Sequence, residues 1–152
     1  MRTSEELAPL TTRVAGASDF GRVSAFYLET GYTQPIDQTE TLLIAERAGE
    51  ICAALRLRSE HHVLVLRGMR VRPDLRRQGV GTTLLFAAVK VIGERECYCI
   101  PHAYLKSFYE QVAFQEVDPT WAPDFLHERL GTYHALGLDV ILMRRAGERN
   151  QQ

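Results

Sequence analysis

Leucine and arginine alternate through Leu55-Arg56-Leu57-Arg58, and this period of two predicts a strand with one buried face and one charged face. Similar short runs recur along the chain. Thr11–Ala15 reads as a first strand, and Thr41–Arg47 and Glu50–Arg58 read as a hairpin around Ala48-Gly49. His62–Val71, rich in valine and leucine, is the strongest strand signal and is stopped by Pro73. Shorter strands follow at Glu96–Ile100, Phe114–Val117 and Asp139–Arg145. Between them the apolar period lengthens to helical spacing. Phe20, Val23, Phe26 and Tyr27 form one stripe, with Ser18 as N-cap and Gly31 as terminator. Val80, Leu84, Ala88 and Ile92 recur every four residues and predict a helix over Gly79–Ile92, closed by Gly93. Tyr104–Ala113 and Pro123–Ala135 give two more helices. Residues 1–10 and the tail AGERNQQ read as loose polar ends.

No repeat or linker interrupts this order, and 152 residues suit one α/β domain over residues 1–152 with its core over about 11–145. A net charge of −1 gives no global attraction to nucleic acid or to an anionic membrane. Three cysteines, Cys52, Cys97 and Cys99, make no disulfide framework and suit a reducing compartment. The first twenty residues have no continuous apolar region, and no run approaches the roughly 20 residues of a membrane span. A soluble cytoplasmic protein is the expectation. Locally the charge is uneven, with seven arginines (56, 58, 67, 70, 72, 76 and 77) against only Glu60 and Asp74 between Arg56 and Arg77.

That basic stretch leads into Arg76-Arg77-Gln78-Gly79-Val80-Gly81 at the head of the predicted helix. A tight turn and an anion cradle both fit such a segment. Helix N-termini expose N–H groups without intrahelical partners and carry about half a positive charge. Glycines let a bulky group approach the backbone, and arginines add charge-assisted donors. There is no Gly-Lys-Ser/Thr of a P-loop and no third glycine at dinucleotide-fold spacing. The helix start, the glycines and the arginines together suit a pyrophosphate.

With Met69-Arg70-Val71-Arg72-Pro73 ahead of it and Phe108-Tyr109-Glu110-Gln111-Val112-Ala113-Phe114 downstream, the segment resembles the GNAT family of N-acetyltransferases. The likeness runs through about residues 11–118 in element order and is sharp over 63–117. It implies a mixed α/β (α+β) fold with a central, mostly antiparallel sheet of about six to seven strands flanked by helices. It also implies acetyl-CoA as co-substrate, a primary amine of unidentified identity as acceptor, and direct transfer in a ternary complex. The implied cofactor residues are Met69, Arg70 and Val71, where backbone groups of Met69 and Val71 pair with the pantetheine amides like an added strand. Amides from Arg77 through Gln78, Gly79, Val80 and Gly81 to Thr82 cradle the pyrophosphate, and Arg76 or Arg77 reaches the 3′-phosphate. Tyr109 faces the thioester sulfur. His102 and Lys106 stand where the family often has asparagine and alanine, and Ala113 stands where it usually has glycine.

Transfer needs a neutral amine. At a pKa of about 10.4, freeing a lysine-like amine at pH 7 costs about 4–5 kcal/mol, which a base or a lowered pKa must offset. Tyr109 is the expected general acid, since a phenol of pKa about 10 stays protonated and donates to sulfur. Glu60 is the expected base, ahead of Glu46, Glu50 and His62. Cys97 and Cys99 read as small core groups rather than nucleophiles. No metal is expected, because Cys97-x-Cys99-x-x-His102 on one strand does not surround a tetrahedral ion. The arginines at 56, 58, 67 and 70 are either a solvated face or the lining of a site for an acidic acceptor. Two other readings stand beside the transferase: a non-catalytic sensor of CoA or acyl-CoA, and an interaction module docking through helix 123–135. A homodimer is left open, and Trp121–Gly137 is expected to shape acceptor choice.

Overall fold

Ala48 and Gly49 both take left-handed backbone angles (φ 53° and 78°), which turns two strands back on each other through two residues. The hairpin they close pairs β2 (Thr41–Arg47) with β3 (Glu50–Glu60), starting at Arg47↔Glu50. His61 and His62 (φ 50° and 66°) make the next two-residue turn into β4 (Val63–Val71). The computed structural model describes residues 8–147, so of the loose ends expected at 1–10 and 146–152 all but 8–10 and 146–147 lie outside the described residues.

The chain forms two compact units, one of residues up to Ser59 with Leu66–Val91 and one of Glu60–Val65 with the residues from Ile92 on. β4 runs through both. Seven strands are hydrogen-bonded in the order β1-β2-β3-β4-β5-β7-β6. β4 and β5 pair in parallel, and the pairings of β1 with β2, β2 with β3, β5 with β7 and β6 with β7 are antiparallel. This is the mixed, mostly antiparallel sheet flanked by helices that the sequence predicts.

In the first unit, β1 (Thr11–Val14) lies beside β2, and α1 (Phe20–Glu29) contributes Val23, Phe26 and Tyr27 to a core with Leu42, Ile44, Ile51 and Ala54. α2 (Val80–Ile92) buries Val80, Leu84, Ala88 and Ile92, the stripe with a four-residue repeat that is legible in the sequence, and Leu85 beside it. Two expectations change here. Ser18 is not the cap of α1. It sits inside a 3-10 turn at Ala17–Asp19, and the Asp19 carboxylate accepts from the Gly16 N–H at 2.8 Å. The charged face of β3 divides: Arg58 is half-buried, whereas Arg56 is enclosed. Arg56 is 1% exposed, because Glu40 takes its Nε and Nη2 at 2.7 and 2.9 Å and the Tyr32 hydroxyl accepts from Nη1 at 2.6 Å.

In the second unit, β5 (Cys97–Cys99), β6 (Gln115–Glu116) and β7 (Met143–Arg145) join α3 (Lys106–Glu110) and α4 (Asp124–Ala135). Val65, Tyr98, Leu126, Leu130, Val140 and Leu142 form its core. The strand expected over Asp139–Arg145 is regular only over its last three residues. Its start is reduced to a single bridge, His102↔Val140. Among the described residues no helix is long and apolar enough to cross a membrane.

Gly68 breaks the extended geometry of β4 with φ 62°, and a Cβ there would sit 2.9 Å from Cδ of the clamped Arg56 and 3.2 Å from the Tyr27 hydroxyl. Gly68→Ala is therefore expected to cost about 2–4 kcal/mol, combining left-handed strain with overpacking, as read by urea denaturation. At the other end of this unit Asp19 binds Arg13 (2.7 and 2.9 Å) and Arg22 (3.2 Å), while Glu46 binds the same two arginines. The Arg13 hydrogen bonds first, then the Gly16 N–H, hold the Asp19 carboxyl well below the usual carboxylate range. A depressed folded-state pKa stabilises the fold above the unfolded value of about 3.9, and that stability is lost as pH falls below it. Asp19→Asn should thus lower stability at neutral pH, with the gap closing as pH drops from about 4 toward 2 in a urea series.

Candidate active site

β4 pairs with β5 only through Leu64 and Val65. From Leu66 to Val71 no strand pairs with that edge of β4 among the described residues, so Met69 and Val71 have no strand partner there, while the Gly68 carbonyl accepts from the Tyr27 hydroxyl. The chain then turns through Pro73–Leu75, with the Arg72 N–H bonded to the Cys52 carbonyl at 2.9 Å and the Arg72 guanidinium paired with Asp74 at 2.8 Å. Pro73 fixes the first step of that turn.

Arg77 and Gly79 both have positive φ (66° and 80°), which bends the loop so that it delivers its backbone to the head of α2. The first bond of the helix runs from the Thr83 N–H to the Gly79 carbonyl at 3.0 Å. The N–H groups of Gly79, Val80, Gly81 and Thr82 consequently have no backbone acceptor among the described residues. A Cβ at Gly79 would meet nothing within 4 Å, so the space in front of the loop is open. Arg76 and Arg77 are exposed and make neither ion pair nor hydrogen bond among the described residues. Gln78 instead bonds back to the Asp74 carbonyl at 3.2 Å. Four free amides, a helix dipole and two free guanidinia suit a polyanion.

In the second unit Tyr109 lies on α3 and is 4% exposed. Its ring meets Phe108 at 5.0 Å and Phe114 at 5.9 Å, both edge to face. Burial, with a smaller contribution from Cys99, pushes its hydroxyl well above the usual tyrosine range, so it is protonated at every physiological pH. That hydroxyl makes no hydrogen bond among the described residues. His102 is exposed, stacks on Tyr104 at 5.6 Å and shares the backbone bridge with Val140. Glu60 closes β3, and both its oxygens are taken by Arg129 of α4 at 2.9 Å each. Cys97 and Cys99 are buried, and burial raises the Cys99 thiol well above its ordinary value, which leaves it a poor nucleophile. Met69 to Thr82 thus belong to the first unit, and Glu60, His102 and Tyr109 to the second.

A sequence model of the Acetyltransferase (GNAT) family matches residues 13–114, about two thirds of the chain. The chain belongs to the GNAT family. The fold agrees with that of solved acetyltransferases. An acyl-CoA N-acyltransferase from Pseudomonas aeruginosa is 18% identical with a TM-score of 0.65, covering 91% of this chain and 99% of that one. The ribosomal-protein-S18-alanine N-acetyltransferase from Escherichia coli is 16% identical with a TM-score of 0.65, covering 92% and 97%. N-acetylglutamate synthase from Neisseria gonorrhoeae, complexed with coenzyme A and N-acetyl-glutamate, is 18% identical with a TM-score of 0.64 over 91% of this chain. This chain spans only 35% of that synthase's length. Among curated proteins no sequence matches it.

Sequence reasoning missed part of what surrounds β4 in this GNAT protein. The Tyr27 hydroxyl donates to the Gly68 carbonyl at 2.8 Å, Tyr27 and Tyr32 stack at 4.7 Å, and Arg56 and Arg70 lie over the Tyr32 ring at 5.8 and 5.6 Å. An isolated glycine inside an otherwise β-branched and leucine-rich strand was the available signal. The partner of Glu60, in contrast, lies 69 residues away in sequence and left no local trace.

Ala113 occupies the family's usual glycine position with φ 72°, at the turn where Phe114 N–H bonds back to the Tyr109 carbonyl at 3.3 Å. Ala113→Gly is expected to stabilise the protein by up to about 1 kcal/mol, since relief of left-handed strain exceeds the added chain entropy. A thermal melt that moves down instead would refute this.

Proposed function

We propose that this protein is an N-acetyltransferase that moves the acetyl group of acetyl-CoA to a primary amine by direct transfer in a ternary complex. The observation that carries the reading is the row of unpartnered N–H groups at 79–82 beside the unpaired Arg76 and Arg77. That set of donors fits a pyrophosphate, and the open β4 edge at Met69–Val71 fits the amides of a pantetheine arm. Coenzyme A is present in the N-acetylglutamate synthase that shares this fold, which supports the same assignment here.

Acetyl-CoA supplies the activated acyl group as a thioester. The loop amides and arginines hold its phosphates, and β4 orients the arm along a single direction. Tyr109 acts as general acid: its hydroxyl is protonated when the step begins and gives its proton to the sulfur as the C–S bond breaks, and the phenolate regains a proton from water after CoA leaves. Glu60 accepts the proton of the amine, trading one of its two Arg129 hydrogen bonds for the new O–H. His102 borders the cofactor arm, and the segment from Trp121 to Gly137, which carries Arg129, adjusts the acceptor side.

The engagement of both Glu60 oxygens is also what favours a second reading, a CoA-binding module without chemistry. Acetyl-CoA incubated with a panel of amines and monitored for free thiol separates the two. Under the transferase reading Tyr109→Phe should lower kcat by about a hundredfold or more while CoA affinity stays within twofold. Gly81→Glu should abolish CoA binding by placing a carboxylate among the amides. Tight CoA binding with no thiol release on any amine would leave only the sensor.

A further inference from the structure

One face of β4 has chemistry of its own. Arg70 stands between Met69 and Val71, and strand alternation turns its side chain to the face opposite theirs. There its guanidinium lies 5.6 Å from the centre of the Tyr32 ring. The connection between α1 and β2 forms the adjoining wall. Glu40 anchors it to Arg56, and Gln34 anchors it to Arg67 through its side-chain oxygen.

Arg56 and Arg70 bring two guanidinia to the Tyr32 ring. Glu40 is consumed by Arg56 with both oxygens, and its side chain has no exposure. Asp37 turns its carboxylate to the Thr39 N–H at 2.8 Å, and Gln34 is neutral. Arg70 is left with no ion pair, and its enclosed Nε has no hydrogen-bond partner among the described residues. Ring stacking and the enclosure of Nε hold the group still, while its two terminal nitrogens stay accessible and unbonded. A planar guanidinium fixed in this way presents a two-pronged donor that matches a carboxylate.

We propose that Arg70 is a specificity residue that binds a carboxylate on the acceptor, so that the amine acetylated by this protein belongs to an amino acid or a related amino-carboxylate. The inference rests on the transferase reading, because the same stretch of β4 whose backbone takes the pantetheine arm carries the arginine. The arginine run that the sequence left open as a solvated face or an anion site thereby divides. Arg56 is structural, and Arg70 is the one that answers to a ligand.

The test reads binding and turnover separately. N-acetylglycine, its amide and N-acetylaminomethylphosphonate are titrated against the full chain and each variant by calorimetry, and in the unsubstituted chain the Arg70 Nε–H resonance is followed by NMR as well. N-acetylglycine is expected to shift that resonance and to bind about ten- to a hundredfold more tightly than the amide. Arg70→Gln should erase the preference, and Arg70→Lys, which keeps the charge without the fork, should retain only part of it. Equal binding of acid and amide, or a preference that survives in both variants, would overturn the proposal. Tighter binding of the phosphonate would overturn the choice of carboxylate. In turnover, glycine should exceed methylamine in kcat/KM, with most of the difference in KM. Equal thiol release with both amines removes this inference and leaves the transferase. A carboxylate preference in binding with no thiol release removes the transferase and leaves the anion site.

Discussion

An arginine with 1% exposure must be answered by a partner held as firmly, and much of the first unit is arranged around that need. Arg56 leaves water only because Glu40 comes with it and Tyr32 accepts its remaining hydrogen bond. Removing one member of such a pair typically costs about 3–5 kcal/mol, because it strands the other charge. The pair therefore ties the connection between α1 and β2 to β3. It also leaves no room at position 68 of the neighbouring strand, which has to be glycine, and the kink at Gly68 in turn gives its carbonyl to Tyr27. The aromatic surface on which Arg70 rests is a product of the same arrangement.

The loop ahead of α2 obeys a different constraint. It needs no distant partner, because a helix start has unsatisfied donors wherever it occurs. Proline, two residues with positive φ and the Arg72–Asp74 pair shape it locally. What the tertiary structure adds is anchorage, through the bond from Arg72 N–H to Cys52 and through the buried stripe of α2. A loop with local causes and a rigid base is well suited to hold a polyanion without rearranging.

The second unit places its candidate groups by burial. Tyr109 is enclosed by Phe108 and Phe114, so its proton is kept by desolvation rather than by a neighbouring charge. Glu60, at the end of a long strand, is fixed by Arg129 and bordered by the turn in which His61 meets Phe125 at 4.7 Å. α4 thus secures the proposed base while burying Leu126 and Leu130.

Most elements were legible in the chain because their causes are local. The exact run of β2, the stripe of α2 and the glycine loop follow from periods of two and 3.6 and from the placement of proline and glycine. Ser18 failed as a cap since Asp19 is the side chain that reaches the free N–H, a matter of geometry that composition does not distinguish. The sequence left the alternating arginines on β3 as a solvated face or an anion site, because a pattern records polarity and cannot record that Glu40 arrives to bury Arg56. By itself the sequence determined the family, the order of elements and the glycine turn ahead of α2, which rest on patterns among near neighbours. Only the tertiary structure decided which arginine is spent inside, which stays open, and that both oxygens of Glu60 are engaged. Those outcomes depend on charges brought together from 16 and 69 residues apart, and pairing at such separations is set by packing rather than by any local pattern.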